Sequence, residues 1–242
     1  MNRIELIKEI FSVTNFRYYL EIGCHAGRSF LPVKARHKIA VDPSFKIPRL
    51  RKLVWLLKVP SNINNRYFEE TSDDFFSKRK NIIGQLDVVL VDGLHTYRGA
   101  LSDVLNSLKF LNTKGIIIMH DCFPPHKAAA LSTTNYPTEE ERNGVEGWNG
   151  QWCGDVWKSI VYLKRKLAAS VDVCVIHTDY GLGIVRIKGK IDPLNLVIDE
   201  QLFSEIDHLT YDFLIENQQA TIDLKRPEYA QKLILEMAGA KN

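Results

Sequence analysis

A chain of 242 residues fits one α/β domain with additions and is long enough to bury a full core. Its 45% hydrophobic and 25% charged residues are ordinary proportions for a soluble globular protein. The 32 Lys+Arg against 29 Asp+Glu leave a net charge of +3, too balanced to argue for nucleic acid as the main partner.

In chain order, Ile4, Ile7 and Phe11 share one helical face, which predicts a helix over 3–12 packed beside a sheet. Apolar runs predict strands at 18–22 and 38–42, with 63–68 the best candidate for a third. Leu86–Val91 reads as a buried strand ending at Asp92, and Leu101, Val104, Leu105, Leu108 and Leu111 mark an amphipathic helix closed by Lys114-Gly115. The next strand is Gly115–Met119, ending at His120-Asp121. Residues 123–153 lack periodicity and are rich in Pro, Gly, Glu and Trp. Asp155 can cap a helix with the inner face Val156, Ile160, Leu163 and Leu167. Val171–Ile176 and Leu182–Ile187, split by Thr-Asp-Tyr-Gly181, read as an antiparallel hairpin, and 195–237 as helical. This alternation predicts a mostly parallel sheet with helices on both faces.

The N-terminus is charged throughout, no apolar run approaches membrane-spanning length, and Cys24, Cys122, Cys153 and Cys174 form no Cys-x-x-Cys pair. The expectation is a reduced, cytoplasmic protein without a membrane span. Lys46, Arg49, Arg51, Lys52 and Lys58 surround Val54-Trp55-Leu56-Leu57. That pattern fits a basic amphipathic helix for a membrane surface or an anionic acceptor, or a solvated helix whose apolar side lies in the core, and the second reading is preferred.

The residues able to carry chemistry follow the strands. In Glu21-Ile-Gly23-Cys24-His-Ala-Gly27-Arg-Ser29 an apolar run ends on a carboxylate and crosses two glycines, and Asp42 ends the next strand where ribose hydroxyls would be gripped. A plain strand–turn–helix with two loop glycines is the alternative. By this parse Glu21, Asp42, Asp92 and Asp121 form an anionic rim on one sheet edge, which calls for a sulfonium cofactor or a divalent metal. If their strands are neighbours, Asp92 and Asp121 come close enough to share a metal with His120, and His95 or His120 can accept a substrate proton, with Asp92 beside them. Otherwise Asp92 and Thr96 cap the following helix and both histidines are simply packed.

Glu21–Ser29, Val41-Asp42-Pro43, Thr71-Ser72-Asp-Asp-Phe-Phe, Val91-Asp-Gly-Leu-His95-Thr-Tyr, Ile118-Met-His120-Asp121-Cys and Gly154-Asp155-Val-Trp157-Lys158 together resemble bacterial class I S-adenosylmethionine-dependent methyltransferases of the glycan and natural-product tailoring type, over roughly residues 15–190. The resemblance implies a Rossmann-like class I methyltransferase fold with a seven-stranded sheet and an antiparallel terminal hairpin. It implies S-adenosylmethionine held by Glu21, Gly23, Cys24, Gly27 and Ser29, ribose on Asp42, adenine near Thr71 and Ser72, and Asp92-Gly93 beside the cofactor. The chain is more distantly similar to metal-dependent catechol-type O-methyltransferases. Asp92 and Asp121 match the two aspartates of that family, His95 stands where it has a lysine base, and Cys122 stands where it has an asparagine ligand.

The expected organisation is a methyltransferase domain at 1–190, with 123–153 as an acceptor lid, and a helical extension at 191–242. Trp148 and Trp152 offer the lid flat surfaces, or else pack on the core. The expected activity is methylation of a hydroxyl on a small molecule or glycan precursor, with Mg²⁺ or Mn²⁺ assistance and a homo-oligomer left open. An NAD(P)-linked oxidoreductase and a non-catalytic cofactor-binding protein are the alternatives.

Overall fold

The computed structural model describes residues 1–239, so the last three residues of the expected 191–242 extension lie outside the described residues. Eight strands form one sheet: β1 (Tyr18–Ile22), β2 (His37–Val41), β3 (Asn65–Phe68), β4 (Leu86–Val91), β5 (Leu111–Met119), β6 (Val171–Ile176), β7 (Leu182–Ile187) and β8 (Leu224–Lys225). The helices are α1 (Arg3–Val13), α2 (Arg49–Lys58), α3 (Ser72–Lys78), α4 (Lys80–Ile83), α5 (Tyr97–Leu108), α6 (Glu139–Asn143), α7 (Trp157–Lys166), α8 (Glu200–Asp207), α9 (Tyr211–Glu216), α10 (Gln218–Ile222) and α11 (Tyr229–Gly239).

The strand order is β3-β2-β1-β4-β5-β7-β6-β8. β1 to β5 run parallel, and β7 enters antiparallel between β5 and β6. The seven-stranded pattern is therefore present, with an eighth two-residue strand from the C-terminal region added beside β6. A strand of two residues carries no readable alternation, which is why 195–237 reads as purely helical. The third strand starts at Asn65, because Pro60–Asn64 forms a 3-10 turn first.

Alternate residues of the central strands face opposite cores, as the pleat requires. Leu20, Ile22, Val89, Val91 and Met119 join α5 and α7, while Tyr19, Val88, Leu90 and Ile118 join α1 and α11. The C-terminal residues enter both cores, Leu214 and Ile222 on one face and Leu233 and Met237 on the other. Among the described residues no helix is long and apolar enough to cross a membrane.

The register fixes the functional edge. Ile22 lies opposite both Val41 and Val91, and Val91 lies opposite Met119. Gly23, Asp42, Asp92 and His120 therefore leave the sheet side by side, at the carboxyl edge where ligands sit in open α/β sheets. Glu21 is the exception to the expected rim. It sits one residue inside β1 and is fully buried.

Candidate active site

The loop after β1 is held by its neighbours' backbones. Gly23 donates its N–H to Val41 O at 2.9 Å, and Asp92 donates its own to Ile22 O at 2.9 Å. Gly23 has a φ of +85°, and a Cβ there would meet Asp92 O at 1.9 Å, so only glycine fits between the two strand ends. Asp42 is buried and accepts from His25 N and Ser44 N, each at 2.7 Å, which fixes both loops around its carboxylate. Thr71 caps α3 by accepting from Asp74 N at 3.2 Å.

These loops enclose a cavity of about 630 Å³. Of the residues expected to touch a cofactor, Gly23, Asp42, Thr71, Ser72, Asp92 and Gly93 line it. Glu21, Cys24, Gly27 and Ser29 do not; all four are buried. Glu21 accepts from Tyr19 Oη at 2.5 Å and from Ser29 Oγ at 2.6 Å, and burial pushes its carboxyl up to about 7 against those bonds. Gly27 faces Ile47 and Leu31.

Residues missed by the sequence reading also line the cavity, His25, Asp103 and Asn135 among them. Asp103 belongs to α5, where an amphipathic pattern treats an acidic position as solvent-facing. It is instead buried, and its Oδ1 has no hydrogen-bond partner. Burial pushes its pKa up to about 7, with Ser72 pulling it down.

A second cavity, of about 310 Å³, adjoins the first; Asp92 and His95 line both. Asp121 leaves β5 with a φ of +62°, a left-handed conformation unusual for a non-glycine residue. The side chains of Asp92, His95 and Asp121 converge, offering ligand atoms that all lie within 4.8 Å of one another. His95 Nδ1 lies 2.8 Å from Trp152 O, and because a carbonyl only accepts, Nδ1 carries the hydrogen. Nε2 therefore keeps its lone pair in the neutral ring and faces Asp121 Oδ2 at 3.3 Å.

His120 is placed differently from its expected role as base or ligand. Its Nδ1 lies 2.8 Å from Asp121 Oδ2 and 3.2 Å from Asp92 Oδ1, and its Nε2 lies 3.5 Å from Asp179 Oδ1. Burial opposes a charge on this ring, but bonds to Asp121, Asp179 and Asp92 outweigh it and push its pKa up to about 11. Arg3 Nη1 approaches Nε2 to 2.9 Å and pulls the other way, since a guanidinium donates only to an unprotonated nitrogen; three carboxylates outweigh one guanidinium. Arg3 itself comes from α1, with Nε 3.1 Å from Asp92 Oδ2 and Nη1 3.0 Å from Asp179 Oδ2. The cations balancing the acidic edge are thus protein side chains, His120 beside Asp121 and Arg3 from the far end of the chain, which no local motif signals.

Cys122 is fully buried, and its Sγ lies where a Cβ on Gly183 would come within 2.7 Å. It packs into the core rather than toward the Asp92–His95–Asp121 cluster. Asp155 does not cap α7. Its Oδ1 accepts from Tyr97 N at 2.7 Å, at the start of α5, and its Oδ2 from Ser132 Oγ at 2.9 Å.

The 123–153 segment lies over this edge. Trp152 stacks on His95 with ring centroids 5.1 Å apart and donates Nε1–H to Leu131 O at 2.8 Å. Gly154 follows with a φ of +59°, and a Cβ there would meet His95 O at 1.8 Å, so glycine is needed for the segment to close on His95. Trp148 lines neither cavity.

Residues 20–122 match a family profile described as a methyltransferase domain. No curated protein matches the chain. Among solved structures, an O-methyltransferase from Bacillus cereus in complex with S-adenosylhomocysteine is 13% identical, with a TM-score of 0.53 over 78% of this chain and 82% of that one. The O-methyltransferase TomG from Streptomyces achromogenes, in complex with S-adenosylmethionine, is 12% identical, with a TM-score of 0.52 over 76% of this chain and 79% of that one. At such identities the likeness is one of fold.

Proposed function

We propose that the chain is a class I, S-adenosylmethionine-dependent methyltransferase that transfers the cofactor's methyl group to an acceptor hydroxyl seated in the smaller cavity. The observation that carries this reading is the meeting of the two cavities at Asp92 and His95. The larger one takes the cofactor, with ribose on Asp42, the base beside Thr71, Ser72 and Asp103, and the sulfonium toward Asp92. Trp152 and Tyr180 give the smaller one flat walls suited to a sugar or aromatic ring.

In this reading the protein aligns the acceptor oxygen with the methyl carbon, excludes water beneath the 123–153 segment and accepts one proton. His95 Nε2 is the acceptor of that proton. The resulting imidazolium is stabilised by Asp121 at 3.3 Å and oriented by the Trp152 carbonyl. His120, already engaged on both nitrogens, and Arg3 position Asp92 and Asp121 rather than exchange protons with substrate.

A second reading keeps the acceptor chemistry and adds a divalent ion. Two carboxylates and an imidazole whose Nδ1–H is held by a backbone carbonyl suit Mn²⁺, Fe²⁺ or Zn²⁺, with Asp92, His95 and Asp121 as ligands in place of the expected Asp92, Asp121 and His120. Such an ion would lower the pKa of a bound hydroxyl.

The test is a binding titration of the full chain with S-adenosylmethionine, S-adenosylhomocysteine and NAD, with and without divalent ions. Preference for the two adenosyl ligands, weakened by roughly 1.5–3 kcal/mol in Asp42→Ala, is expected. Tighter binding of NAD would overturn the cofactor reading. Methyl transfer indifferent to a chelator removes the ion and leaves His95 as the base.

A further inference from the structure

The helix after the Asp42 loop turns its apolar side outward. α2 buries none of its ten residues. Leu50, Leu53, Val54 and Leu57 fall at i, i+3, i+4 and i+7, one continuous stripe, and Leu50 and Leu57 are 71% and 78% exposed. Ile63, on the turn that follows, is 76% exposed. The opposite side holds the helix down: Arg51 Nη1 donates to Ala26 O at 2.8 Å, and Ile47 and Trp55 pack against the core. The preferred sequence reading, with the apolar side in the core, is thus reversed.

The charge around this stripe has one sign. Between Asp42 and Glu69 there are six cations, Lys46, Arg49, Arg51, Lys52, Lys58 and Arg66, and no Asp or Glu. The Lys52 ammonium lies 4.2 Å from the Tyr67 ring centroid and the Lys58 ammonium 5.4 Å from that of Trp55, so both cations are held beside the helix by aromatic faces. An exposed aliphatic stripe framed by cations is the surface that enters an anionic lipid interface.

We propose that α2 and the turn after it dock this protein peripherally on an anionic membrane surface, the leucines entering the acyl boundary and the flanking cations, Arg49 and Lys58 foremost, meeting lipid phosphates. A second copy of the chain fits poorly, because a two-fold interface would press the same flanking cations against each other. Nucleic acid would pair with the cations but leave the leucines without a partner. Docking here also bears on the cofactor site, since Arg51 and Ile47 touch the 26–27 loop.

The test is flotation of the full chain with vesicles of phosphatidylcholine alone or mixed with phosphatidylglycerol, at low and high salt. The expected result is about tenfold or greater preference for the anionic vesicles, falling as salt rises. Leu53→Glu with Leu57→Glu should cut that binding about tenfold or more, with S-adenosylhomocysteine affinity and thermal midpoint unchanged. Arg49→Gln with Lys58→Gln should weaken it at low salt, and this pair alone decides the matter should the glutamates unfold the chain. Equal partition onto neutral and anionic vesicles, or full binding by either double variant, overturns the proposal. So does a wild-type dimer, split by the leucine substitutions, that ignores vesicles. None of these outcomes depends on methyl transfer.

Discussion

The larger cavity takes most of its walls from short stretches that each follow one strand, with Asp103 of α5 and Asn135 added, whereas the smaller one gathers Arg3, Asp92, His120, Trp152 and Tyr180 from across the chain. Their charge is handled differently as well. Around the larger cavity, Asp42 is held by backbone N–H groups, while burial pushes Glu21 and Asp103 up to about 7. Around the smaller one, Asp92, Asp121 and Asp179 are balanced by Arg3 and His120. One half is a backbone cradle able to adjust to a cationic ligand, and the other is a fixed charge network able to hold a proton acceptor in place.

The sharpest way to break the cradle is Gly23→Ala. With Asp92 O only 1.9 Å from the added carbon and a φ of +85°, strands β1 and β4 must part. The expected cost is about 3 kcal/mol of stability, with loss of cofactor binding. Thermal unfolding with and without S-adenosylhomocysteine checks both; a ligand-induced shift like that of the wild type would mean that the loop relaxes.

The network predicts the next largest effect. His95→Gln should lower kcat by about 10²–10⁴ while leaving S-adenosylhomocysteine affinity nearly unchanged. Labelled methyl transfer to a panel of hydroxyl acceptors reads this out. Wild-type turnover in the variant would return the proton-accepting role to another group and leave His95 as packing for Trp152.

The contrast also explains what was legible in the sequence. The hairpin strands run over 171–176 and 182–187 as two apolar runs split by a turn indicate, because a tight turn fixes the register locally. Gly23 and Asp42 are legible for the same reason, each lying one step past an apolar run. Glu21 carries the same signature yet faces the core beside Tyr19, since a period of two assigns the face only once the strand's last residue is known. Asp155 resembles a local cap but serves α5 instead, 58 residues earlier. Arg3 and Asp179 gave no signal, because pairing across the whole chain leaves no spacing to read. α2 was misplaced because an amphipathic pattern shows that a helix has two sides, not which side finds a partner.

Titration of the cradle should be visible in stability. In the fold Glu21 keeps its proton up to about 7, whereas the unfolded chain releases it near the ordinary 4.5. Between those values the unfolded state binds fewer protons, so stability declines as pH rises through the window, by up to about 3 kcal/mol. Glu21→Gln should flatten the urea midpoint over the same range. A parallel decline in the variant would assign the dependence to other groups.

The smallest effect expected concerns recognition of the base. Asp103 lines the cavity beside Ser72 and has one buried oxygen without a hydrogen-bond partner, and an ionised carboxylate there would accept a hydrogen bond from an exocyclic amine. S-adenosylhomocysteine should therefore bind roughly tenfold tighter than its inosyl counterpart, which offers a carbonyl in place of the amine. Because burial pushes the Asp103 pKa up to about 7, the preference should change with pH. Above that value the carboxylate repels the inosyl oxygen, and below it the protonated acid can donate to that oxygen. Asp103→Asn can present either an amide N–H₂ or a carbonyl, so it should lose both the preference and its pH dependence. Calorimetric titration of the two ligands on either side of neutrality checks this. Equal discrimination by wild type and variant would move base recognition onto Thr71 and Ser72 and leave Asp103 as an internal acid of α5.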